Sequence, residues 1–279
     1  MLSGSSYERD QEFQKLLRGE RDIDLVTAAL EIARDAFPNL EFSATFDWIR
    51  QRSDELMPAV TRVRSEVAAL DELTHSLAEA WGLHGDEACY NQADSSYLNR
   101  VVETQKGIPI TLSLVYMAVA DRLGIELSGV ASPMHFLTRL DAAEGTYFVD
   151  AYSFGRILTE TECIDWLSSV SGLSETELRP GLQPAVPRTI LLRMLANLKA
   201  LHARQGNWDQ AWLVQHRLVA LEPSSWIARR DLALISIRAN RPGQAVDLLE
   251  WCLKSCPDNE RSLLDQHLGE AERRLSDLN

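Results

Sequence analysis

Cysteine is scarce in this sequence: 279 residues contain only Cys89, Cys163, Cys252 and Cys256. Four thiols so widely scattered exclude the dense disulfide framework of a small secreted domain. Cys252 and Cys256 lie four apart on an expected helix, but no second Cys pair or His cluster completes a metal site around them. Their expected role is packing, and neither a metal nor a cofactor is expected. Lysine is also scarce, four of the 28 basic residues, and no function follows from that. No apolar run reaches the roughly 20 residues that span a bilayer. The N-terminal stretch Met1–Asp10 lacks the basic-then-apolar pattern of a signal peptide. A soluble, cytoplasmic protein with no membrane contact is expected.

Positive charge is in deficit as well. The net charge is −13, and residues 1–186 carry 15 Lys and Arg against 30 Asp and Glu. Phosphates would be repelled there, which excludes nonspecific nucleic-acid binding by that part. Residues 187–279 are near neutral, with 13 basic against 11 acidic side chains. That part suits packing on the acidic part or on an acidic partner.

What is present is enough apolar material for a core: 45% hydrophobic residues, with seven Trp. Helical spacing of Leu25, Ala28, Ile32 and Ala33 predicts a helix over 7–35, broken at Pro38-Asn39. Two more helices are expected over 42–64 and 66–81, followed by a loop over 82–94. Ser95 or Ser96 is the expected cap of a short helix ending at Gly107. The segment Pro109–Leu123 is apolar on nearly every face, the mark of a helix buried at the centre of a domain. Pro109 suits its first turn, where a backbone N–H has no partner, and Gly124 suits its C-terminal cap.

The texture then changes. Three short segments, 126–130, 135–140 and 146–152, are rich in β-branched and aromatic residues and are separated by turn residues. Strands that follow a buried helix predict an α+β domain with a small antiparallel sheet. A last helix is expected over 159–170, with Thr159 and Glu162 at capping-box spacing. Gly172, Pro180, Gly181, Pro184 and Pro187 then mark the best linker in the chain.

Beyond the linker the pattern is helical and repeats. Asn207-Trp-Asp-Gln-Ala211 corresponds to Arg241-Pro-Gly-Gln-Ala245, and Leu221-Glu-Pro223 to Ser255-Cys-Pro257, each offset by 34 residues. That period is similar to the tetratricopeptide repeat, in which a small Ala lets paired helices approach and a Pro ends the second. Two repeats and a capping helix over 258–277 fit the length. Trp208, Trp212, Trp226 and Trp251 are expected in packing. Arg193, Arg229, Arg230 and Arg238 are candidates to bind a peptide carboxylate, or to be solvated or paired with the acidic part.

One constellation carries chemistry. The segment Lys106–Gly124, followed by His135 and Asp150, has the layout of a papain-like catalytic core. Such a site needs a thiol at a helix N-terminus, a His on a neighbouring strand as base, and an Asp to orient the His. Pro109 stands where the cysteine belongs. Gly107-Ile-Pro109, Leu123-Gly124, His135-Phe136 and Val149-Asp150-Ala151 resemble the transglutaminase-like superfamily. Gly107–Ser113, Pro133–Leu137, Arg193–Lys199 and Arg229–Ala233 extend the resemblance to its SirB-type bacterial branch, over roughly residues 35–275. The resemblance implies a transglutaminase-like domain with a helical extension over 1–180, a linker over 181–187, and tetratricopeptide repeats with a capping helix over 188–279. In that branch, too, Pro occupies the cysteine position, so the resemblance carries no activity over.

The expected function is a non-catalytic, protein-binding or regulatory module with a vestigial cleft around His135 and Asp150. Asn91, Tyr97, Asn99, Pro109, Thr111 and Ser113 are candidates to line it. A structural reading stands beside each: a His–Asp pair can simply tie two strands, and Asn91, Tyr97 and Asn99 can satisfy a loop. The rival is a hydrolase or acyltransferase using Cys89, Thr111 or Ser113 with His135 and Asp150. A third reading is a scaffold acting through the repeats alone. His84 is expected to be a plain surface residue.

Overall fold

The computed structural model describes residues 7–277. Residues 9–194 form one compact unit and 195–277 fall in another, the division lying within helix α9 (Pro187–Arg204). Among the described residues no helix is long and apolar enough to cross a membrane.

In the first unit, the helix expected over 7–35 is two helices, α1 (Gln11–Leu17) and α2 (Leu25–Ala33). The correction has a local cause: Gly19 takes φ +78°, and Asp24 starts α2 by accepting from Thr27 N–H at 3.0 Å. Buried Glu31 ties the two together, accepting from the N–H groups of Glu12 (3.0 Å) and Phe13 (2.8 Å). Helices α3 (Ser43–Val60) and α4 (Glu66–His75) follow, the latter running into a π-turn at Ser76–Ala80.

The stretch expected as loop contains 3₁₀ turns at Glu87–Asn91 and Ala93–Ser96. Neither Ser95 nor Ser96 caps α5 (Leu98–Thr104); Tyr97 occupies the cap position, and its side chain does not cap the helix. The Ser95 carbonyl serves instead as an anchor for the next helix, accepting from Ile108 N–H at 3.0 Å.

Helix α6 (Pro109–Arg122) is the buried central helix that its all-round apolar sequence predicts. Pro109 is its first residue, and Gly124, at φ +75°, closes it in the left-handed conformation. Ile110, Leu112, Leu114, Val115 and Val119 are all removed from solvent, each stabilising by about 1.5–3 kcal/mol.

The sheet has four antiparallel strands in chain order, not three: β1 (Ser128–Val130), β2 (Leu137–Ala142), β3 (Gly145–Asp150) and β4 (Arg156–Thr159). The fourth, Arg-Ile-Leu-Thr, is too short to show alternation, and its pairing with β3 defines it. Helix α7 (Glu160–Ser171) starts with the expected capping box of Thr159 and Glu162. One sheet face buries Val130, Leu137 and Phe148 with Cys163 and Leu167 of α7. Leu178 and Leu182, from the Pro/Gly-rich stretch that includes α8 (Glu175–Leu178), join the same cluster.

The second unit holds α10 (Trp208–Leu221), α11 (Trp226–Arg238), α12 (Pro242–Leu253) and α13 (Asp258–Ser276). Ala211 and Ala245, the small landmarks of the repeat, are fully buried. The tryptophans carry guanidinium groups on their faces: Arg229 on Trp251 at 4.0 Å, Arg241 on Trp212 at 4.1 Å and Arg230 on Trp226 at 5.3 Å.

Candidate functional site

The site is assembled by three local structures. The first is the loop between β1 and β2, which carries His135 just before β2; the expected placement of His135 inside the strand is corrected by two residues. Ser132 Oγ donates to the His135 carbonyl at 2.9 Å. Arg193 donates to the Ser132 carbonyl at 2.6 Å and lies over the Phe136 ring. Arg193 is therefore a brace for the His135 loop. Met134 sits at φ +63° with 77% of its surface exposed. An exposed apolar residue in the left-handed region marks a loop tip held by its surroundings.

The second structure is the end of β3. Asp150 is fully buried, and its Oδ1 lies 2.9 Å from His135 Nε2 and accepts from Ser153 N–H at 3.2 Å. The register places Asp150 opposite Arg156, whose Nη2 is 3.5 Å from Oδ2. Burial alone would raise the Asp150 carboxyl. The hydrogen bond and charge of His135 and the Ser153 N–H outweigh it, holding the group below its ordinary range.

The third structure is a ring of aromatics. Trp166 of α7 meets His135 edge-on at 5.0 Å and carries the Arg156 guanidinium at 4.6 Å. Tyr152 meets His135 edge-on at 6.1 Å, and Tyr90 lies 5.6 Å from Tyr152. Burial pushes the Tyr152 phenol up to about 12. Phe154, left-handed at φ +55° and 59% exposed, stacks on His84 at 4.8 Å. His84 is thus not a plain surface residue: it bridges to Lys106, and its Nδ1 lies 2.7 Å from the Gly82 carbonyl.

The remaining candidates fall in different places. Pro109 is buried at the start of α6. Thr111 Oγ1 donates to the carbonyls of Ser95 (2.7 Å) and Ile108 (3.0 Å), as a helical threonine tends to do. Ser113 Oγ is buried with no hydrogen-bond partner. Cys89 is fully buried, its backbone N–H held by the Asp86 carboxylate at 3.1 Å. Asn91 is exposed, in the Glu87–Asn91 turn. Tyr97 packs edge-on against Phe37 at 5.4 Å, and Asn99 lines a cavity with Phe37. Among the described residues no thiol or hydroxyl hydrogen-bonds the His135 ring, and no three or more His, Cys, Asp or Glu side chains are grouped to hold a metal ion.

Sequence reasoning missed Met134, Tyr152, Phe154, Arg156 and Trp166. The sequence offered little signal: the Arg156 strand is defined only by its pairing with β3, and Tyr152 lies in the turn that follows Asp150.

Residues 43–196 match the transglutaminase-like superfamily, and residues 198–264 match the tetratricopeptide repeat. A UPF0162 protein of Xylella fastidiosa (strain 9a5c) is 31% identical over 83% of this chain and 84% of its own length. One from Vibrio cholerae is 23% identical over 85% of this chain and 88% of its own. The mouse F-box only protein 21 is 30% identical over 66% of this chain but 28% of its own length. No solved structure matches the chain.

Proposed function

The chain belongs to the transglutaminase-like superfamily, with tetratricopeptide repeats at its C-terminal side, and we propose that it is a non-catalytic, cytoplasmic protein-binding or regulatory module that seats a peptide segment over the His135–Asp150 pair. The observation that carries this reading is the fate of the nucleophile position. Pro109 has no group to deprotonate, and acyl transfer through a covalent intermediate needs a thiol or hydroxyl within reach of the base. Thr111 has given its hydroxyl hydrogen to backbone carbonyls, and Cys89 is sealed from solvent.

What remains is an imidazole fixed by a buried carboxylate, edged by Tyr152 and Trp166, beside two exposed apolar tips. Aromatic walls and raised apolar tips suit capture of a peptide side chain. The domain also recurs within a much longer protein, as a self-contained module does. Tetratricopeptide repeats supply protein-binding surfaces in general, which fits a second contact to the same partner.

The test is selection of displayed random peptides on the full chain, followed by calorimetry of the selected sequences. Met134→Asp and His135→Ala are each expected to weaken binding by roughly tenfold or more with the fold retained. Selected peptides that bind both variants unchanged would remove the site from the proposal. One observation favours the hydrolase reading: the buried Ser113 hydroxyl has no hydrogen-bond partner. Turnover of p-nitrophenyl acetate that disappears in both Ser113→Ala and His135→Ala would establish it.

A further inference from the structure

One cation at the edge of the His135 cleft is not answered by the chain itself. Arg193 Nη1 donates to the Ser132 carbonyl at 2.6 Å, and the guanidinium lies over the Phe136 ring at 5.8 Å. Those two contacts fix the group and leave Nε and Nη2 with no acceptor among the described residues. No carboxylate there is within ion-pair distance of it, and the site's own carboxylate, Asp150, is matched by His135 at 2.9 Å and Arg156 at 3.5 Å. Arg193 is half-buried, and burial pulls its guanidinium below its ordinary range. A cation that gives up hydration without gaining a counter-ion costs free energy, and a fixed guanidinium fork is the shape that two carboxylate oxygens answer.

Arg193 closes the perimeter of the cleft. From His135 the aromatic edge runs through Tyr152 to Tyr90. The Tyr90 phenol is pushed up by burial and by the Asp150 charge and pulled back by Arg193, so it lies within reach of both. Arg193 then returns to the His135 loop through the Ser132 carbonyl. Tyr90 is 45% exposed, so this edge opens to solvent. Charge chooses among anions. Residues 1–186 carry 30 acidic against 15 basic side chains, and the Asp86 and Glu87 charges act on the Tyr152 phenol. A run of acidic residues or a phosphate dianion laid over the aromatics would be repelled. A single carboxylate leading an apolar chain meets Arg193 and sets apolar atoms on the rings. At a chain end that carboxylate sits on the backbone, whereas a glutamate must also immobilise its side chain.

Resting on the reading of the His135 cleft as a peptide seat, we propose that the segment it takes is the C-terminus of a partner protein, whose terminal carboxylate pairs with Nε and Nη2 of Arg193 and whose apolar last residues lie against Tyr90 and Tyr152. Nη1 braces the His135 loop while the other face of the same guanidinium reads the end of the ligand.

The test titrates the full chain, labelled with ¹⁵N, with three probes: acetyl-alanyl-phenylalanyl-leucine as the free acid, the same tripeptide as its C-terminal amide, and acetyl-leucyl-glutamyl-leucine amide, whose one carboxylate is internal. The free acid is expected to shift the Arg193 Nε–H resonance saturably and to bind roughly tenfold more tightly than the amide. Arg193→Gln is expected to bind acid and amide alike, and Arg193→Lys, which keeps the charge but not the fork, to retain only part of the preference. Equal binding of acid and amide by the parent chain, an unmoved Arg193 Nε–H, a glutamyl peptide that binds as tightly as the free acid, or a full preference in Arg193→Gln would each overturn the proposal. The acid–amide comparison needs no variant. Peptides that lose affinity in His135→Ala but show no acid preference would sink this proposal and leave the peptide seat standing. An acid preference kept in full, with binding unchanged by His135→Ala, would do the reverse.

Discussion

The Tyr152 ring lies directly against Gly85: a Cβ built on Gly85 would fall inside the ring, while the Gly85 N–H donates to the Tyr152 carbonyl at 2.9 Å. The loop that carries His84 and the segment after Asp150 are thereby locked with the Tyr152 edge toward His135. Gly85→Ala is expected to push the ring away and destabilise the first unit by about 1–3 kcal/mol. Urea unfolding measures the loss, and the His135 ring-proton shift reports the departure of Tyr152.

Thiol reactivity separates the module reading from the hydrolase reading. Cys89, Cys163 and Cys252 are fully buried, and burial pushes the Cys163 thiol up to about 12 and Cys252 up to about 11. Cys256 is half-buried. A disulfide reagent is expected to modify about one thiol per folded chain and all four in denaturant. Fast labelling of Cys89 in the folded chain would restore it as a nucleophile.

Asp150 carries acid sensitivity. Its carboxyl is held below its ordinary range in the fold, so the folded state holds fewer protons there than the unfolded chain. The stability it contributes is present above about pH 4 and is lost as pH falls through its folded value. Asp150→Asn is expected to lower stability at pH 7 by about 2–3 kcal/mol and to lose less on acidification from pH 5 to 3. Urea midpoints of both proteins across that range measure the difference; parallel curves would show that the carboxylate adds nothing.

His216 gives the second unit its own pH dependence. Burial pushes its imidazole down to about 4, with the Arg241 charge adding to the depression. Nε2 lies 3.0 Å from Gln244 Nε2, and the ring sits 4.1 Å from Trp212. The unfolded chain takes up this proton first, so the contribution is full above about pH 6.5 and is lost between there and pH 4. The total is on the order of 3 kcal/mol. His216→Gln is expected to flatten the change in melting temperature over that window, followed by tryptophan emission.

Sequence reached the elements whose causes are local. Pro109 and Gly124 bracket α6, and Thr159 with Glu162 starts α7, because each signal acts within one helical turn. Ala211 and Ala245 reveal the repeats because a small residue is needed wherever two helices touch at a fixed period. The pairing of His135 with Asp150 was legible from their spacing around one hairpin. The split of α1 from α2 was hidden because apolar spacing runs through Gly19. The roles of Ser95 and Arg193 were hidden because each bonds a segment distant in sequence, the start of α6 and the His135 loop.

The sequence by itself determined the α+β domain, the repeat period, and the absence of a thiol at the start of the central helix, since each rests on residue type and short spacing. Only the tertiary structure decided what surrounds His135, that Asn99 Oδ1 is buried without a hydrogen-bond partner, and that Thr111 serves Ser95. Those outcomes depend on which distant segments are brought within a hydrogen bond or a ring contact, and that is settled by packing of the whole unit.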